Sequence, residues 1–268
     1  MSVLLAIDGD SFAHRAYHAL PKSIRLNAVV GFTNMLVRLW QAERPDAVLV
    51  AWDTLSTPTY RHEAFEAYQS GRVFEDSILE QLDILPEVVA AFGFLVAKAP
   101  GYEADDFLAA AAREWTGDAL VATSDRDAFQ LASTRVTILQ PTRGVSELAR
   151  IGPAEVRERY GVEPEQVPDL IALRGDPSDK LPGARGVGPK KAAALLGEYG
   201  SLEAALADGR FAAEAEDLRL FRRIATMDAS APLPPLAETS PAWAEASSFL
   251  ERLGLGAVAG RVADLSTS

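Results

Sequence analysis

Nine carboxylates stand at the ends of predicted strands or near the starts of predicted helices, in five separate segments of the chain. They are Asp8, Asp53, Glu103, Asp105, Asp106, Asp125, Asp127, Asp176 and Asp179. Four of the segments join the acid to a hydrophobic run, and the fifth, RGDPSDKLPG, precedes a glycine-rich stretch. So much negative charge gathers in one cleft only when divalent cations hold it there. If the segments converge, they predict a metal-dependent enzyme that acts on phosphate esters.

The residue types also indicate which metal is expected. Hydrolysis of a phosphodiester needs an activated water and neutralised charge on the phosphate, and two divalent ions about 4 Å apart supply both. Mg²⁺ prefers hard oxygen ligands such as carboxylates. The three histidines, His14, His18 and His62, lack the spacing of a zinc site, and the absence of cysteine excludes thiolate ligands, disulfides and a cysteine nucleophile. We therefore expect two or more Mg²⁺ or Mn²⁺ ions.

Each group of acids also has an ordinary structural explanation. The acids of GYEADD lie at a predicted helix start, where they would complement the helix dipole. Those of TSDRD could cap a turn or a helix, and those of RGDPSD could be ordinary loop residues. The recurrence of acids at such positions favours a common site.

The elements that would position the acids follow a strand–helix–strand order. Residues 3–8 and 46–53 are predicted strands that close on aspartates, and residues 28–43 between them have helical periodicity. Further elements are a helix over 103–115 and strands over 120–123 and 136–139. This pattern predicts an α/β fold with a mostly parallel sheet, in which the functional crevice lies at the carboxyl ends of the strands.

Two regions depart from this pattern. Residues 56–77 are polar and aromatic, and form either a long surface insertion or a mobile substrate-facing element beside the cleft. Beyond residue 151 the pattern becomes helical. We therefore expect a metal-binding α/β core over residues 1–150, including the insertion, and a helical region over 151–268 packed on that core.

The stretch LPGARGVGPKKAAALL (181–196) indicates a phosphate contact. Its glycines permit a tight hairpin before a helix whose first turn presents free backbone amides. Those amides, with Lys190 and Lys191, suit a DNA phosphate and match the helix–hairpin–helix pattern. A plain glycine-rich turn between helices is the alternative.

Composition restricts the class of protein only loosely. The 268 residues, 48% hydrophobic, can bury a full core as one large or two small domains. No apolar stretch approaches the roughly 20 residues that cross a bilayer, so a cytoplasmic protein is expected. A net charge of −12 disfavours nucleic acid at first sight, but taking the nine acids out leaves −3, and bound cations would reverse the local sign.

These motifs together resemble the bacterial 5′-nuclease (flap endonuclease) family, of the type that forms the N-terminal domain of DNA polymerase I. The resemblance covers nearly the whole chain, in family order and spacing, through IDGDSFAHRAYHALP, VVGFTNML, AWDTLSTPTYRHEAFEAYQSGR, GYEADD, TSDRDAFQL and RGDPSDKLPGARGVGPKKA. No polymerase segment accompanies them, so the chain is similar to the standalone members. The resemblance implies a PIN-like 5′-nuclease fold with a C-terminal helix–hairpin–helix over 173–196.

The resemblance also implies a division of the acids between two metal sites. One site would be formed by Asp8, Asp53, Glu103 and Asp105. The second would be formed by Asp125, Asp127 and Asp179, with Asp105 near both. Asp106 and Asp176 would orient metal-bound waters from outside.

The remaining implied contacts are with DNA. Arg15 and Arg72 would approach the scissile phosphate, and Tyr68 would offer its ring to an unpaired base. Further DNA contacts would come from Arg61, Lys180, Arg185, Gly186, Gly188, Lys190 and Lys191. The hairpin would also hold a K⁺ ion through backbone carbonyls, as the family often does.

One position departs from the family pattern. Gln69 replaces the lysine of a YKxGR motif. The loss of one charged donor to the transition state can cost on the order of 10²–10³ in rate. Lys22 and Arg61 are the nearby cations that could compensate.

The expected function is therefore that of a monomeric 5′-3′ exonuclease or flap endonuclease that leaves 5′-phosphate and 3′-hydroxyl ends. Its substrate would be DNA with a 5′ flap or a 5′ end at a single-strand/duplex junction. One alternative is a DNA-structure-binding protein of the same fold, weakened at Gln69. Another is a haloacid-dehalogenase-like phosphatase with Asp8 as nucleophile and Asp10 as acid, which leaves Asp53 and the hairpin unexplained.

Overall fold

The computed structural model describes residues 2–71, 73–143 and 147–267, and its centre is a six-stranded sheet. The strands are β1 Val3–Asp8, β2 Ala47–Ala51, β3 Leu95–Ala97, β4 Asp118–Ala122, β5 Val136–Arg143 and β6 Glu147–Ile151. Their order is β3-β2-β1-β4-β5-β6. The first five are parallel and β6 is antiparallel to β5, so the predicted α/β fold with a mostly parallel sheet is confirmed.

Helices cover both faces of this sheet. They are α1 Gly9–Ala19, α2 Asn27–Glu43, α3 Tyr60–Ala64, α4 Asp76–Ala91, α5 Ala104–Glu114, α6 Pro153–Tyr160, α7 Val167–Arg174, α8 Pro189–Tyr199, α9 Leu202–Ala207, α10 Ala215–Ala225, α11 Trp243–Arg252 and α12 Gly256–Ala263. Short 3₁₀ turns span Asp127–Leu131, Pro164–Gln166 and Asp264–Thr267. None of the helices in the described ranges is both long and apolar enough to cross a membrane.

The central strands are hydrophobic on both faces because each face is covered. Along β1, Leu4 belongs to one buried cluster with Phe107 of α5, and Leu5 belongs to the other with Phe32 of α2. This alternation follows from the two-residue period of a strand. Strands buried on both sides therefore form nearly continuous apolar runs, as the VLLAI of β1 does.

The parallel register brings the carboxyl ends of three strands together. Asp8, the last residue of β1, pairs in register with Ala51 of β2, and Ile7 pairs with Ala122 of β4. The loops that follow β2 and β4 therefore flank Asp8. Those loops carry Asp53 and Asp125.

The predicted helical region over 151–268 divides between two packing partners. Helices α7, α8 and α10 pack together and join the hydrophobic cluster on the α5 face of the sheet. By contrast, α11 and α12 pack on α4 and α2 on the other face. The proline-rich segment leads there, and the Thr239 hydroxyl accepts a 3.0 Å hydrogen bond from the backbone N–H of Val48. The last helices thus belong to the outer layer of the α/β core.

Candidate active site

A cleft of about 420 Å³ opens at the carboxyl end of the sheet, and we call it the acid cleft. Its acidic lining residues are Asp8, Asp10, Asp53, Glu103, Asp105 and Asp125. A smaller cavity of about 30 Å³ is also lined by Glu103, Asp105 and Asp125, and adds Asp127 and Asp179. Seven of the nine predicted acids thus line two adjoining cavities, with Asp105 in both.

Asp8 is held by the end of β1 and the start of α1. Its Oδ1 accepts the backbone N–H of Ser11 at 2.9 Å, and its Oδ2 accepts the Thr123 hydroxyl at 2.7 Å. Only 5% of the residue is exposed. Burial, opposed by these hydrogen bonds and reinforced by the charges of Asp53 and Asp125, raises the pKa of Asp8 to about 7.

Asp10 is a member of the acid cleft that the sequence interpretation did not place among the metal ligands. It lies in the first turn of α1, and its Oδ2 accepts the backbone N–H of Asp53 at 2.7 Å. Burial and the charge of Asp53 raise its pKa well above the usual range. Its spacing of two residues from Asp8 is the signal that could have identified it.

Asp53 and Glu103 are oriented by donors from neighbouring segments. Asp53 Oδ1 accepts the backbone N–H of Ala104, at the start of α5, at 2.7 Å. Glu103 Oε1 accepts the Thr59 hydroxyl at 3.1 Å, and its Oε2 accepts the Tyr68 hydroxyl at 3.0 Å. Burial raises the pKa of Glu103 although Arg61 lies nearby. Both carboxylates are therefore positioned by the protein before any ligand enters.

Among the described residues, no donor reaches one of the two carboxylate oxygens of Asp105. Its Oδ1 is buried and has no hydrogen-bond partner among the described residues. Burial, followed by the charges of Asp125, Asp8 and Asp53, raises the pKa of Asp105 well above its ordinary value. A buried carboxylate oxygen without a donor is an unusual feature that a bound cation would explain.

Two acids that follow β4, Asp125 and Asp127, lie close to Asp176 and Asp179, which follow α7. Asp125 Oδ1 accepts the backbone N–H of Asp127 at 2.8 Å. Burial, then the charges of Asp125, Asp176 and Asp179, raise the pKa of Asp127 well above its usual range. Asp176 lies beside this group without lining either cavity, with Arg174 Nη2 at 3.7 Å and an accepted hydrogen bond from Ser178 N at 2.8 Å.

The donor set fits a hard divalent cation that retains waters. Within the ranges that the structure describes, no three His, Asp or Glu side chains form a ready-made ion cage. The acids are turned toward protein donors, as Asp8, Asp10 and Asp53 show. Mg²⁺ usually keeps several waters and uses few direct protein ligands. The oxygen-rich acid cleft and the unpartnered oxygen of Asp105 therefore fit this class of ion.

Asp106 does not have the predicted role beside the metals. It is fully buried, and its carboxylate accepts two hydrogen bonds from the Arg61 guanidinium, at 2.7 and 2.9 Å. It also accepts the backbone N–H groups of Glu103 at 3.1 Å and Asp228 at 2.7 Å. Its lone pairs are therefore occupied on the interior side of α5. The prediction that Asp106 orients metal-bound water is corrected.

Arg61 likewise does not face DNA in this structure. Only 3% of the residue is exposed, and its Nε donates to the backbone carbonyl of Ile224 at 2.9 Å. With Asp106, it joins α3 to α5 and α10. The predicted DNA contact and the compensation for Gln69 are therefore corrected for Arg61, because its guanidinium is enclosed and already paired.

Tyr68 is also enclosed. It is 3% exposed, and its ring meets the edge of His62 at a centroid distance of 5.1 Å. The predicted stacking of its ring on a base is therefore not available in this arrangement. Its hydroxyl instead orients Glu103. Residues 59–69, which we call the strap, are consequently anchored on the core and are not a plain surface insertion.

Two of the remaining predicted cations, Arg15 and Lys22, lie in the described part of the chain. Arg15 is half-buried on α1, next to His14, which lines the acid cleft. Lys22 pairs with Glu75 at 2.5 Å on the surface. Arg72 lies outside the described residues, so its predicted role stays a prediction.

The predicted helix–hairpin–helix has the expected form. Helices α7 and α8 pack together and are joined by residues 175–188, which we call the hairpin. Gly183 has φ 71°, and a Cβ there would lie 2.4 Å from the backbone nitrogen of Gly175, so both a left-handed backbone and a close approach require glycine. The predicted DNA-contact residues exposed here are Lys180, Arg185, Gly186, Gly188, Lys190 and Lys191.

Two models of known protein families match the chain. A family model described as the 5′-3′ exonuclease, N-terminal resolvase-like domain, matches residues 3–161. A second model, described as the 5′-3′ exonuclease, C-terminal SAM fold, matches residues 162–245. Together they cover the sheet, the strap and the hairpin.

Two similar proteins are bacterial DNA polymerases I. DNA polymerase I of Mycobacterium tuberculosis is 46% identical over 210 residues, which cover 74% of this chain and 23% of the relative. Thermostable DNA polymerase I of Thermus thermophilus is 37% identical over 276 residues, covering 95% of this chain and 32% of the relative. The chain thus spans about a quarter to a third of these relatives.

A variant of the bacteriophage T5 flap endonuclease, solved as a pseudo-enzyme-product complex with DNA and metal ions, superimposes with a TM-score of 0.72 at 16% identity. The match covers 99% of this chain and 100% of that one. At that identity the likeness demonstrates a shared fold.

Proposed function

The chain belongs to the 5′-3′ exonuclease family, and from this membership we propose that it is a structure-directed 5′-3′ exonuclease or flap endonuclease acting on DNA. It would hydrolyse phosphodiesters to leave 5′-phosphate and 3′-hydroxyl ends. The observation that carries the proposal is the acid cleft, where carboxylates from separate segments converge around the unpartnered oxygen of Asp105. A shared fold with a flap endonuclease captured with DNA and metal ions supports it.

The proposed cofactors are two or more divalent cations, Mg²⁺ or Mn²⁺. When bound, such ions activate water and neutralise charge on the phosphate. The residues that would hold one ion are Asp8, Asp53, Glu103 and Asp105, with Asp10 as an added candidate. The residues that would hold the second are Asp125, Asp127 and Asp179.

The protein's own contribution is positioning. Thr123 and the Ser11 amide orient Asp8, while Thr59 and Tyr68 orient Glu103. These bonds hold the acids in place before the ions and the substrate arrive, so little reorganisation is needed during reaction. Arg15 and Arg72 are the proposed cations at the scissile phosphate.

The hairpin is the proposed grip on duplex DNA. The exposed backbone around Gly186 and Gly188 leads into α8, whose first turn carries Lys190 and Lys191. Amides at a helix start and lysine side chains bind phosphate without reading the base sequence. Lys180 and Arg185 would extend this contact, and the hairpin carbonyls are the proposed K⁺ ligands. A monomer in the cytoplasm, where bacterial DNA lies, completes the proposal.

The direct test is incubation with a labelled 5′-flap duplex and Mg²⁺ or Mn²⁺, with product sizes read on a gel. We expect cutting near the junction that EDTA abolishes. Asp125→Asn is the matched variant, because Asp125 lines both cavities, and it should lose cleavage while keeping flap binding. Absence of metal-dependent cutting by the unmodified protein would refute the proposal.

The second candidate is a DNA-structure-binding protein of the same fold whose cleavage activity is weakened. The scarcity of basic side chains in the acid cleft favours it. Among its described lining residues, His14 is the single basic side chain, and Gln69 stands where the family has lysine. Restoring the lysine with Gln69→Lys separates the two candidates. A large gain in cutting with unchanged flap affinity would identify a weakened site, whereas little change would show that the chain compensates elsewhere.

A further inference from the structure

The strap carries the side-chain donors for carboxylates of two different segments. Thr59 and Tyr68 donate to the two oxygens of Glu103, at the start of α5, at 3.1 and 3.0 Å. Gln69 Nε2 donates to Asp179 Oδ1, in the hairpin, at 3.1 Å. The strap therefore reaches both the α5 side and the hairpin side of the acid cluster.

Gln69 links these two sides into one chain of hydrogen bonds. Its Nε2 also donates to the Tyr68 hydroxyl at 2.7 Å, and that hydroxyl donates to Glu103. The amide nitrogen has two protons, so these two bonds can use both of them. The order Glu103–Tyr68–Gln69–Asp179 thus joins acids that are 76 positions apart in sequence, since they carry the numbers 103 and 179.

The surroundings of Gln69 indicate a site residue more than a packing residue. It lines both the acid cleft and the smaller cavity that contains Asp179. Its backbone has φ 47°, a left-handed conformation that disfavours residues other than glycine, asparagine and aspartate. Such a conformation persists where the surrounding contacts determine it.

We infer that Gln69 is a positioning residue that holds the Asp179 carboxylate toward the other acids and thereby sets the affinity of the second cation site. Asp179 belongs to a cluster of like charges, and the bond from Gln69 opposes its displacement from the other acids of the smaller cavity. A neutral amide restrains it while leaving the negative charge that attracts a cation. The inference rests on the proposed function for the presence of two cation sites.

The test measures Mn²⁺ binding to the full chain without DNA. Gln69→Met keeps the length of the side chain and removes both donors. Gln166→Met is the matched control, because Gln166 Nε2 donates to the Gly200 and Leu196 carbonyls at 2.8 and 3.4 Å in the helical region, outside both cavities. Free Mn²⁺ is followed by electron paramagnetic resonance, and the melting temperature of each metal-free variant is recorded.

We expect two classes of bound Mn²⁺ in the unmodified protein. Gln69→Met should lower the affinity of the weaker class of sites for Mn²⁺ about tenfold, as expected for the loss of one hydrogen bond to a charged group. The tighter class should stay within about twofold, and the melting temperature should fall no more than in Gln166→Met. Unchanged affinities, a parallel loss in both classes together with a fall in melting temperature, or fewer than two classes in the unmodified protein would each overturn the inference.

The outcome is separable from that of the flap assay. An unmodified protein that binds two classes of Mn²⁺, responds to Gln69→Met and cuts no flap would contradict the proposed nuclease while leaving the role of Gln69 intact. A protein that cuts flaps but binds Mn²⁺ equally well with Met at position 69 would contradict the role of Gln69 alone.

Discussion

Two consecutive aspartates at the start of α5 lie in opposite environments. Asp105 faces the acid cleft with a buried oxygen that has no partner among the described residues. Asp106 faces the interior, where Arg61 and two backbone amides occupy its oxygens. The difference shows that burial of a carboxylate does not by itself indicate a metal ligand. A carboxylate whose lone pairs are already used contributes to the fold, and one left unpartnered is available to a ligand.

The interior side also supports the cleft side. The Arg61–Asp106 pair holds α3 and the C-terminal end of α10 against the start of α5. Thr59 and Tyr68, the residues that orient Glu103, lie on either side of Arg61 in the strap. Arg61 Nη1 also lies 3.2 Å from Glu103 Oε2, so loss of Arg61 should disturb both the fold and the orientation of this cleft carboxylate.

The largest expected effect is on the interior side. Arg61→Met leaves the Asp106 charge buried without its partner, which should lower the free energy of unfolding by about 3–5 kcal/mol. Denaturation in urea measures it. The double variant Arg61→Met, Asp106→Leu should recover much of the loss, because the Asp106 charge is then no longer buried without a cation. A single variant as stable as the unmodified protein would show that the pair is not structural.

On the cleft side, Asp105→Asn should act on chemistry and not on folding. Removing a proposed metal ligand should lower the rate of flap cleavage on the order of 10²–10³-fold, comparable with the loss of a main electrostatic contact. The metal-free melting temperature should stay equal or rise, because a buried charge among like charges is lost. Normal cleavage, or a melting temperature that falls as far as in Arg61→Met, would show that Asp105 does not differ from Asp106 in its role.

A further expected effect is the pH dependence that the carboxylates of the two cavities impose. Asp8 has a pKa of about 7 in the folded chain, above its ordinary value of about 3.9 in the unfolded chain. A raised folded pKa stabilises the protein at low pH, and this contribution is lost as pH rises toward 7. The pKa values of Asp10, Asp105 and Asp127 are shifted in the same direction. The metal-free protein should therefore become less stable between about pH 5 and pH 8.

Divalent cations should reverse that loss. At about 100 times its dissociation constant, Mg²⁺ should add about 2.7 kcal/mol near pH 8, and much less near pH 5, where protons compete for the carboxylates. Melting temperatures in EDTA and in Mg²⁺ across this range measure both effects. A metal-free protein equally stable at both ends of the range, with no response to Mg²⁺, would show that the acids are not held as charged, cation-binding groups.

The sequence was sufficient for the sheet and for the meeting of most acids. Residues 3–8 and 46–53 are apolar runs that end in aspartate, and a run that is apolar on both faces belongs in a covered parallel sheet. Parallel strands share one carboxyl edge, so Asp8, Asp53 and Asp125 had to adjoin there. The glycines of the hairpin were equally informative, since only glycine suits the close approach of Gly183 to Gly175.

Tertiary structure decided the roles of residues that are alike in sequence. Asp105 and Asp106 are neighbours of the same type, and the Arg61 side chain from another segment determines which one is satisfied. The enclosure of Tyr68, the membership of Asp10 in the acid cleft and the packing of α11 and α12 on α4 and α2 depend on long-range contacts too. Local periodicity reports which face of an element is buried, whereas the partner that satisfies a buried charge comes from a distant part of the chain.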